Sequence, residues 1–413
     1  MTHSGKIELM APAGNFESLQ AAIDNGADSV YFGVEQLNMR ARATLNFTLE
    51  DLPEIAKRCA TKNIRTYLTL NTIIYDHDLS IVKTLLTKAK EAGITAVIAA
   101  DQAVIAMARQ LNIEVHISTQ VNITNIETVK FYALFADTIV LSRELSLRQV
   151  KKITEQVEKE QVKGPSGNLI EIEIFGHGAL CMAVSGKCYL SLHSHNSSAN
   201  RGACKQNCRK KYTVIDQESG FEIEIDNEYM MSPKDLCTIN FLDEIVDAGV
   251  KVLKLEGRGR APEYVATVTK CYREAIDSIA ENNYTPEKVN DWMEQLNTVY
   301  NRGFWSGYYL GQKLGEWSAN PGSNATQKKV YVGKGMHYFP KTNIAEFKIE
   351  AYDIKVGDKV MITGPSTGVQ EFVLDEMFVN DNPSEQATKG DSLTLKVPFR
   401  VRLSDKLYKI VEA

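Results

Sequence analysis

The sequence predicts an α/β protein, a (β/α)8 TIM-like barrel with a Cys-rich insertion, followed by a small C-terminal all-β barrel domain. Three observations lead there. Eight short runs rich in Val, Ile, Leu and Tyr recur through the first 256 residues, helix-like stretches separate them, and from Val330 onward the pattern changes to short alternating runs with turns between.

In order, the eight runs are IELMAPAG from Ile7, DSVYFG from Asp28, RTYLTLN from Arg65, TAVIAAD from Thr95, EVHISTQ from Glu114, TIVLSRE from Thr138, EIEIFGHG from Glu171 and VLKLEGRG from Val252. The stretches between them are amphipathic: Leu52, Ile55, Ala56 and Cys59, or Ile81, Leu85, Leu86 and Ala89, fall on one face of a helix. A doubly wound open sheet alternates in the same way, and periodicity cannot reveal closure; the count of eight favours the barrel. The connection between the seventh and eighth runs is far longer than a usual βα loop, so a segment is inserted there, at about 176–250. Helices are expected from about Pro262 to Glu281 and near Glu287 to Tyr300, closing a barrel domain over 1–317. The small and polar run at 318–329 reads as a linker, and 330–413 as the β-domain, with KVYVGKG, IAEFKIEAY, DKVMITG and DSLTLKVP as strands.

Lys plus Arg number 47 against 52 Asp plus Glu, so 47 − 52 leaves a formal charge of −5. That excludes a broadly basic nucleic-acid coat and leaves room for a local basic patch. No run approaches the roughly 20 apolar residues that cross a bilayer, and MTHSGKIELMAPAG lacks the apolar stretch of a secretion signal, so no membrane association and a cytoplasmic location are expected. Seven cysteines, five of them between Cys181 and Cys237, suit metal binding better than a disulfide scaffold.

Cys181, Cys188, Cys204 and Cys208 follow a C-x6-C-x15-C-x3-C spacing. Four soft thiolates so arranged suit zinc or an iron-sulfur cluster, and the spacing alone does not choose. Cys237 is a fifth candidate; Cys59 and Cys271 sit on apolar helix faces and read as core. Gly178, Gly186 and Gly202 flank the cysteines and would let backbone N–H groups approach cluster sulfurs. In a barrel, the insertion leaves the C-terminal end of the seventh strand, where active sites are built. The other strand ends supply Asn71, Asp101, Gln120, Arg143 with Glu144, His177, and Glu256 with Arg258, any of which could instead cap a helix or pair a charge. His177, four residues before Cys181, is the leading candidate for moving protons. Arg201, Lys205, Arg209, Lys210 and Lys211 place five cations in eleven residues and would contact RNA phosphates, with Tyr212 as a stacking face, unless they form only a solvated surface. GPSTG at Gly364–Gly368 lies between short strands and reads as a turn, since a nucleophile elbow needs strand, turn and helix.

EIFGHGALCMAVSGKCYLS at Glu173–Ser191 resembles the signature of the collagenase-like peptidase family of unassigned mechanism, and LMAPAGN, NRGACKQNCRKKY, YMMSPKDL and KLEGRGR are similar to the same family across the barrel. The resemblance implies an oxygen-independent hydroxylase with a 4Fe-4S cluster, acting on tRNA, ribosomal RNA or ubiquinone precursors. The β-domain at 330–413 resembles the branch that makes 5-hydroxyuridine at the wobble position of tRNA with prephenate as a required metabolite. That branch implies Cys181, Cys188, Cys204 and Cys208 as cluster ligands, while resemblance to ubiquinone-related members of the family implies Cys237 as a substitute for one of them. It also implies prephenate and a tRNA anticodon loop as partners. Arg143 or Arg258 would hold the prephenate carboxylates, with His177, Glu256 and Asn71 as further catalytic candidates. A metal-dependent peptidase in which the same cysteines hold zinc is the alternative. The sequence names neither an electron donor nor a partner subunit; an apolar patch on the exposed surface of the β-domain would favour a partner subunit.

Overall fold

The computed structural model describes residues 7–41, 46–213, 217–219, 229, 231–320 and 322–413; residues 1–6, the first part of MTHSGKIELMAPAG, lie outside this set. The first seven strands are β1 (Glu8–Pro12), β2 (Ser29–Phe32), β3 (Arg65–Leu70), β4 (Ala96–Ala99), β5 (Glu114–Ile117), β6 (Thr138–Val140) and β7 (Glu171–Gly178). They are followed by a short strand β8 (Asp235–Cys237), then β9 (Val252–Leu255) and β10 (Phe304–Trp305). β1 to β7 pair consecutively in parallel, and β9 pairs in parallel with both β7 and β1, through Ile174↔Leu253 and Leu9↔Leu253. The barrel is therefore closed, by the eight runs read from the sequence. β8 runs antiparallel to β7 at its last residues, and β10 extends it.

Among the described residues ten α-helices accompany the strands: α1 (Phe16–Asp24), α2 (Leu52–Ala60), α3 (Leu79–Glu91), α4 (Gln102–Gln110), α5 (Ile126–Ala133), α6 (Leu147–Lys159), α7 (Leu190–His195), α8 (Leu242–Asp247), α9 (Pro262–Ala280) and α10 (Pro286–Thr298). Their starts follow local chemistry. Asn15 and Asn125 accept the Ser18 and Thr128 N–H groups, and proline occupies the first turn of α9 and α10, where no N–H is missed. Asp101 is such a cap as well, accepting from Ala103 N at 2.9 Å and from Ile74 N, which removes it from the candidate site list.

Apolar residues of the helices and outward strand faces form one large core, while Met10, Tyr31, Tyr67, Ala96, Ile98 and Val252 fill the barrel interior. At the N-terminal end the interior is polar and paired: Arg65 reaches Glu8 at 3.2 Å and Glu114 at 2.6 Å, while Tyr67 donates to Glu8 at 2.7 Å.

The C-terminal unit is all β, as the sequence predicts. Its principal sheet is antiparallel and eight-stranded, with Gln327–Phe339 bonded on one side to Lys406–Glu412 and on the other to Ile344–Ile349, and a two-stranded sheet pairs Ile354–Lys355 with Gln386–Ala387. A separate core including Phe347, Val360, Ile362, Leu395 and Leu407 holds it together. GPSTG is the turn of the hairpin joining Lys359–Gly364 to Gly368–Val373, and that hairpin rests on α1 and α9. Lys329 and Glu263 add an ion pair of 2.8 Å between the unit and α9.

Candidate active site

At the C-terminal end of the barrel, strand ends and the insertion enclose a cavity of about 350 Å³. Its described lining residues run from Tyr31 to Arg302, so the β-domain contributes none of them. Two glycines let the insertion close over the mouth. Gly178, with φ +105°, leaves the end of β7 so near the barrel that a Cβ would lie 2.5 Å from the Glu256 carbonyl oxygen. Gly202, with φ +83°, would place one 2.3 Å from the Asn38 carbonyl. Both conformations favour glycine, and the close approach they permit is to barrel backbone rather than to sulfur.

Cys181, Cys188, Cys204 and Cys208 all line this cavity. None is in a disulfide, Cys181 and Cys204 are exposed, and Cys188 and Cys208 are half-buried. Burial pushes the Cys208 thiol up, Arg209 opposes it, and the other three sulfurs each add to the rise, so the four share one electrostatic environment. Among the described residues no three His, Cys, Asp or Glu groups are drawn together around a single-ion site. The shared cavity, not an assembled coordination sphere, is the observation.

Cations dominate the rest of the lining. Arg258, at the end of β9, is buried; it donates to Thr69 Oγ1 at 2.7 Å and Asn38 Oδ1 at 3.1 Å. Burial pushes its pKa down to about 10, and among the described residues no carboxylate lies within ion-pair distance. Arg143 donates to the Ala179 carbonyl at 2.9 Å and lies 3.7 Å over the Phe175 ring; its Nε is buried without a hydrogen-bond partner. Arg260 stacks on Tyr300 at 3.5 Å. Glu256 is paired with Arg40; burial raises its pKa, but Arg40, Arg260 and Arg143 together outweigh that and hold it below the usual range. On the floor, Lys254 meets Glu173 at 2.8 Å, both buried inside the barrel, and the second Glu173 oxygen has no partner. Asn71 joins the lining, bonded to Ser118 Oγ and to the Met39 N–H. Such a lining, rich in guanidinium groups with no carboxylate of their own, is built to receive an anion.

The profile of peptidase family U32 matches residues 14–319. The chain belongs to peptidase family U32. It is 54% identical over 402 residues to a protein of Porphyromonas gingivalis named collagenase, covering 97% of each chain. It is 32% identical over 377 residues to tRNA hydroxylation protein P1 of Bacillus subtilis, covering 87% of this chain and 84% of that one. It is also 35% identical over 279 residues to the 23S rRNA 5-hydroxycytidine C2501 synthase of Escherichia coli, covering 67% of this chain and 40% of that one. The family read from the motifs is thus confirmed, and its relatives carry names of both peptidase and RNA-hydroxylation type.

Several sequence-predicted residues of this U32 chain lie elsewhere than expected. His177 does not reach the cavity. It sits on the far face of β7, buried among Tyr264, Tyr272 and Phe304, 3.3 Å from the Tyr272 hydroxyl, with burial lowering its pKa to about 3. A proton carrier at neutral pH is therefore the wrong role for it. Cys237 is placed opposite His177 on β8, buried 3.7 Å from Met293 Sδ, and is not part of the cysteine cavity. The basic run divides. Arg201 is bound to Asp78 at 2.6 Å, and Arg209 donates to the Ser232 hydroxyl and to the Pro233 and Leu180 carbonyls; both are struts of the insertion rather than open phosphate contacts. Lys205, Lys210 and Lys211 are exposed, with Lys211 near the Tyr229 ring at 5.7 Å, and Tyr212 donates to the Asn207 carbonyl. Glu144 is exposed, and Gln120 lines the cavity.

Sequence reasoning missed Arg40, Lys254, Arg260 and Arg302. Lys254, Glu256 and Arg258 alternate along KLEGRGR, and the period of two that sends them to one side of β9 and its extension was a readable signal. Arg40, in the loop after β2, had none. Its pairing with Glu256 exists only because the barrel brings β2 and β9 to either side of β1.

Proposed function

We propose that the protein is an RNA-modifying hydroxylase. In this reading it forms 5-hydroxyuridine at the tRNA wobble position without molecular oxygen and with prephenate as a required metabolite. The observation that carries this reading is the placement of four thiols in one cavity with Arg143 and Arg258, two guanidinium groups that have no carboxylate partner among the described residues. The donor set fits an iron-sulfur cluster, with Cys181, Cys188, Cys204 and Cys208 as its holders. Bound, a 4Fe-4S cluster would supply one-electron chemistry at the cavity mouth.

The chain's own residues bind and orient. Arg143 and Arg258 present planar donors to the two carboxylates of prephenate. Glu256, kept ionised by the surrounding cations, holds Arg40 in place. Lys254, steadied by Glu173, offers an ammonium donor at the floor. The target base must leave its stack to enter, which an unpaired anticodon loop allows at little cost. No helix among the described residues is long and apolar enough to cross a membrane.

The relative named collagenase favours a second reading, a metal-dependent peptidase. Amide hydrolysis needs a free general base beside its nucleophile or metal-bound water. Glu256, the carboxylate of the described lining, is instead held ionised against Arg40, which supports anion binding over hydrolysis.

The deciding experiment is nucleoside mass spectrometry of tRNA from cells lacking other routes to 5-hydroxyuridine, complemented with the wild type or with Cys181→Ala. Restoration by the wild type alone supports the reading. Failure of an iron-loaded wild type to restore the nucleoside redirects the search to ribosomal RNA or ubiquinone precursors. Stoichiometric zinc with peptide cleavage by the anaerobically purified protein overturns the hydroxylase assignment.

A further inference from the structure

The cavity mouth carries a feature beyond the cation-rich pocket. From Ala179 to Tyr212 the insertion holds Lys187, Arg201, Lys205, Arg209, Lys210 and Lys211 and no Asp or Glu, on a chain of net charge −5. Two aromatic rings stand out from the same rim: Tyr75 is 50% exposed and Tyr189 63%. Tyr189 lies between the lining residues Cys188 and Leu190, and Tyr75 follows the lining residue Asn71 in the loop after β3.

Both segments are tied to one buried residue. Asn200 accepts the Cys188 N–H through Oδ1 at 3.1 Å and the Ile73 N–H through its carbonyl at 3.2 Å. Its neighbour Arg201 lies 4.1 Å over the Tyr75 ring, held by Asp78 at 2.6 Å and by the Ile73 carbonyl at 2.9 Å. The guanidinium therefore backs one side of the ring in a fixed position, on a residue that stays exposed to solvent. Exposed aromatic rings, one of them backed by a fixed guanidinium, beside an insertion segment that is basic and free of carboxylates from Ala179 to Tyr212 match an unpaired nucleic-acid strand, whose bases stack while its phosphates meet cations.

We propose that Tyr75 and Tyr189 form a stacking lip that grips the unpaired nucleotides flanking the base presented to the cavity, with Lys205 and Lys210 on the phosphates. This inference rests on the RNA reading and deepens it: the recognised element is a single-stranded loop, and Arg201 acts as a positioning residue for Tyr75.

Fluorescence anisotropy with the full-length protein tests it, using a labelled anticodon stem-loop RNA and a blunt RNA duplex of equal length. Tyr75→Ala and Tyr189→Ala should each weaken stem-loop binding by about tenfold or more, the scale of one lost base stack, and leave duplex binding unchanged. Tyr75→Leu, which keeps bulk without a π face, should lose as much, and Tyr75→Phe and Tyr189→Phe should bind like the wild type. Lys205→Gln and Lys210→Gln should weaken both RNAs alike. Wild-type stem-loop affinity in both alanine variants overturns the lip while leaving the RNA reading standing. A wild type that binds stem-loop no better than duplex overturns the lip and counts against the loop substrate itself.

Discussion

His177 makes the sharpest test of the tertiary arrangement, because its neutral state is a consequence of packing alone. Burial lowers its pKa to about 3, whereas the unfolded chain carries an ordinary imidazole near 6.5. Below that value the unfolded state binds a proton that the folded state refuses. Stability from this group is therefore complete above about pH 6.5 and is lost as pH falls towards 3, at about 1.4 kcal/mol per pH unit. At about pH 4.5, two units below the unfolded value, the loss reaches about 3 kcal/mol. His177→Gln removes the titrating group; Tyr272, whose hydroxyl also donates to the Gly176 carbonyl and accepts from Thr238 N, keeps those partners. Urea unfolding of both proteins at about pH 8 and about pH 4.5 measures the difference, since the other acids titrate alike in each and cancel. The wild type should lose about 3 kcal/mol more than the variant between the two pH values. Equal losses would refute the reasoning. The variant should also keep its activity, since the imidazole does not touch the cavity.

Three further outcomes are expected. Lys254→Met and Glu173→Leu should each cost about 3–5 kcal/mol in denaturant unfolding by leaving a buried charge alone, and the double variant should cost much less than their sum. Cys208→Ala should lower iron and acid-labile sulfide in anaerobically purified protein, whereas Cys237→Ala, remote from the cavity, should leave both unchanged. Arg143→Met and Arg258→Met should abolish prephenate-dependent hydroxylation, measured by tRNA nucleoside analysis, and full activity retained in both variants would remove those arginines from the anion-binding role.

The barrel was legible because its signal is local and repeated. Each strand is a short apolar run, each helix has one apolar face, and eight repetitions leave few architectures. The position of the cysteines followed from the same logic, since an insertion after the seventh strand must emerge at the C-terminal mouth. His177 was misjudged for a local reason. The sequence puts it at a strand end beside Cys181, but alternate residues of β7 face opposite sides of the barrel wall, and the register break between Phe175 and His177 where β7 meets β9 sends the imidazole into the layer with Tyr272. Arg201 and Arg209 were misjudged because a run of charges shows no partners. Asp78, and the carbonyls of Leu180 and Pro233, are supplied by segments distant in the chain.

By itself, the sequence determined the elements, their order, the all-β C-terminal unit and the segment that carries the thiols, all of which depend on neighbouring residues and their periodicity. Only the tertiary structure decided which thiols share a cavity, which cations lack carboxylate partners, and which imidazole is sealed from solvent. Burial and charge pairing are set by residues far apart in the chain, and closing the barrel brings Arg40, Arg143, Lys254 and Arg258 around one space.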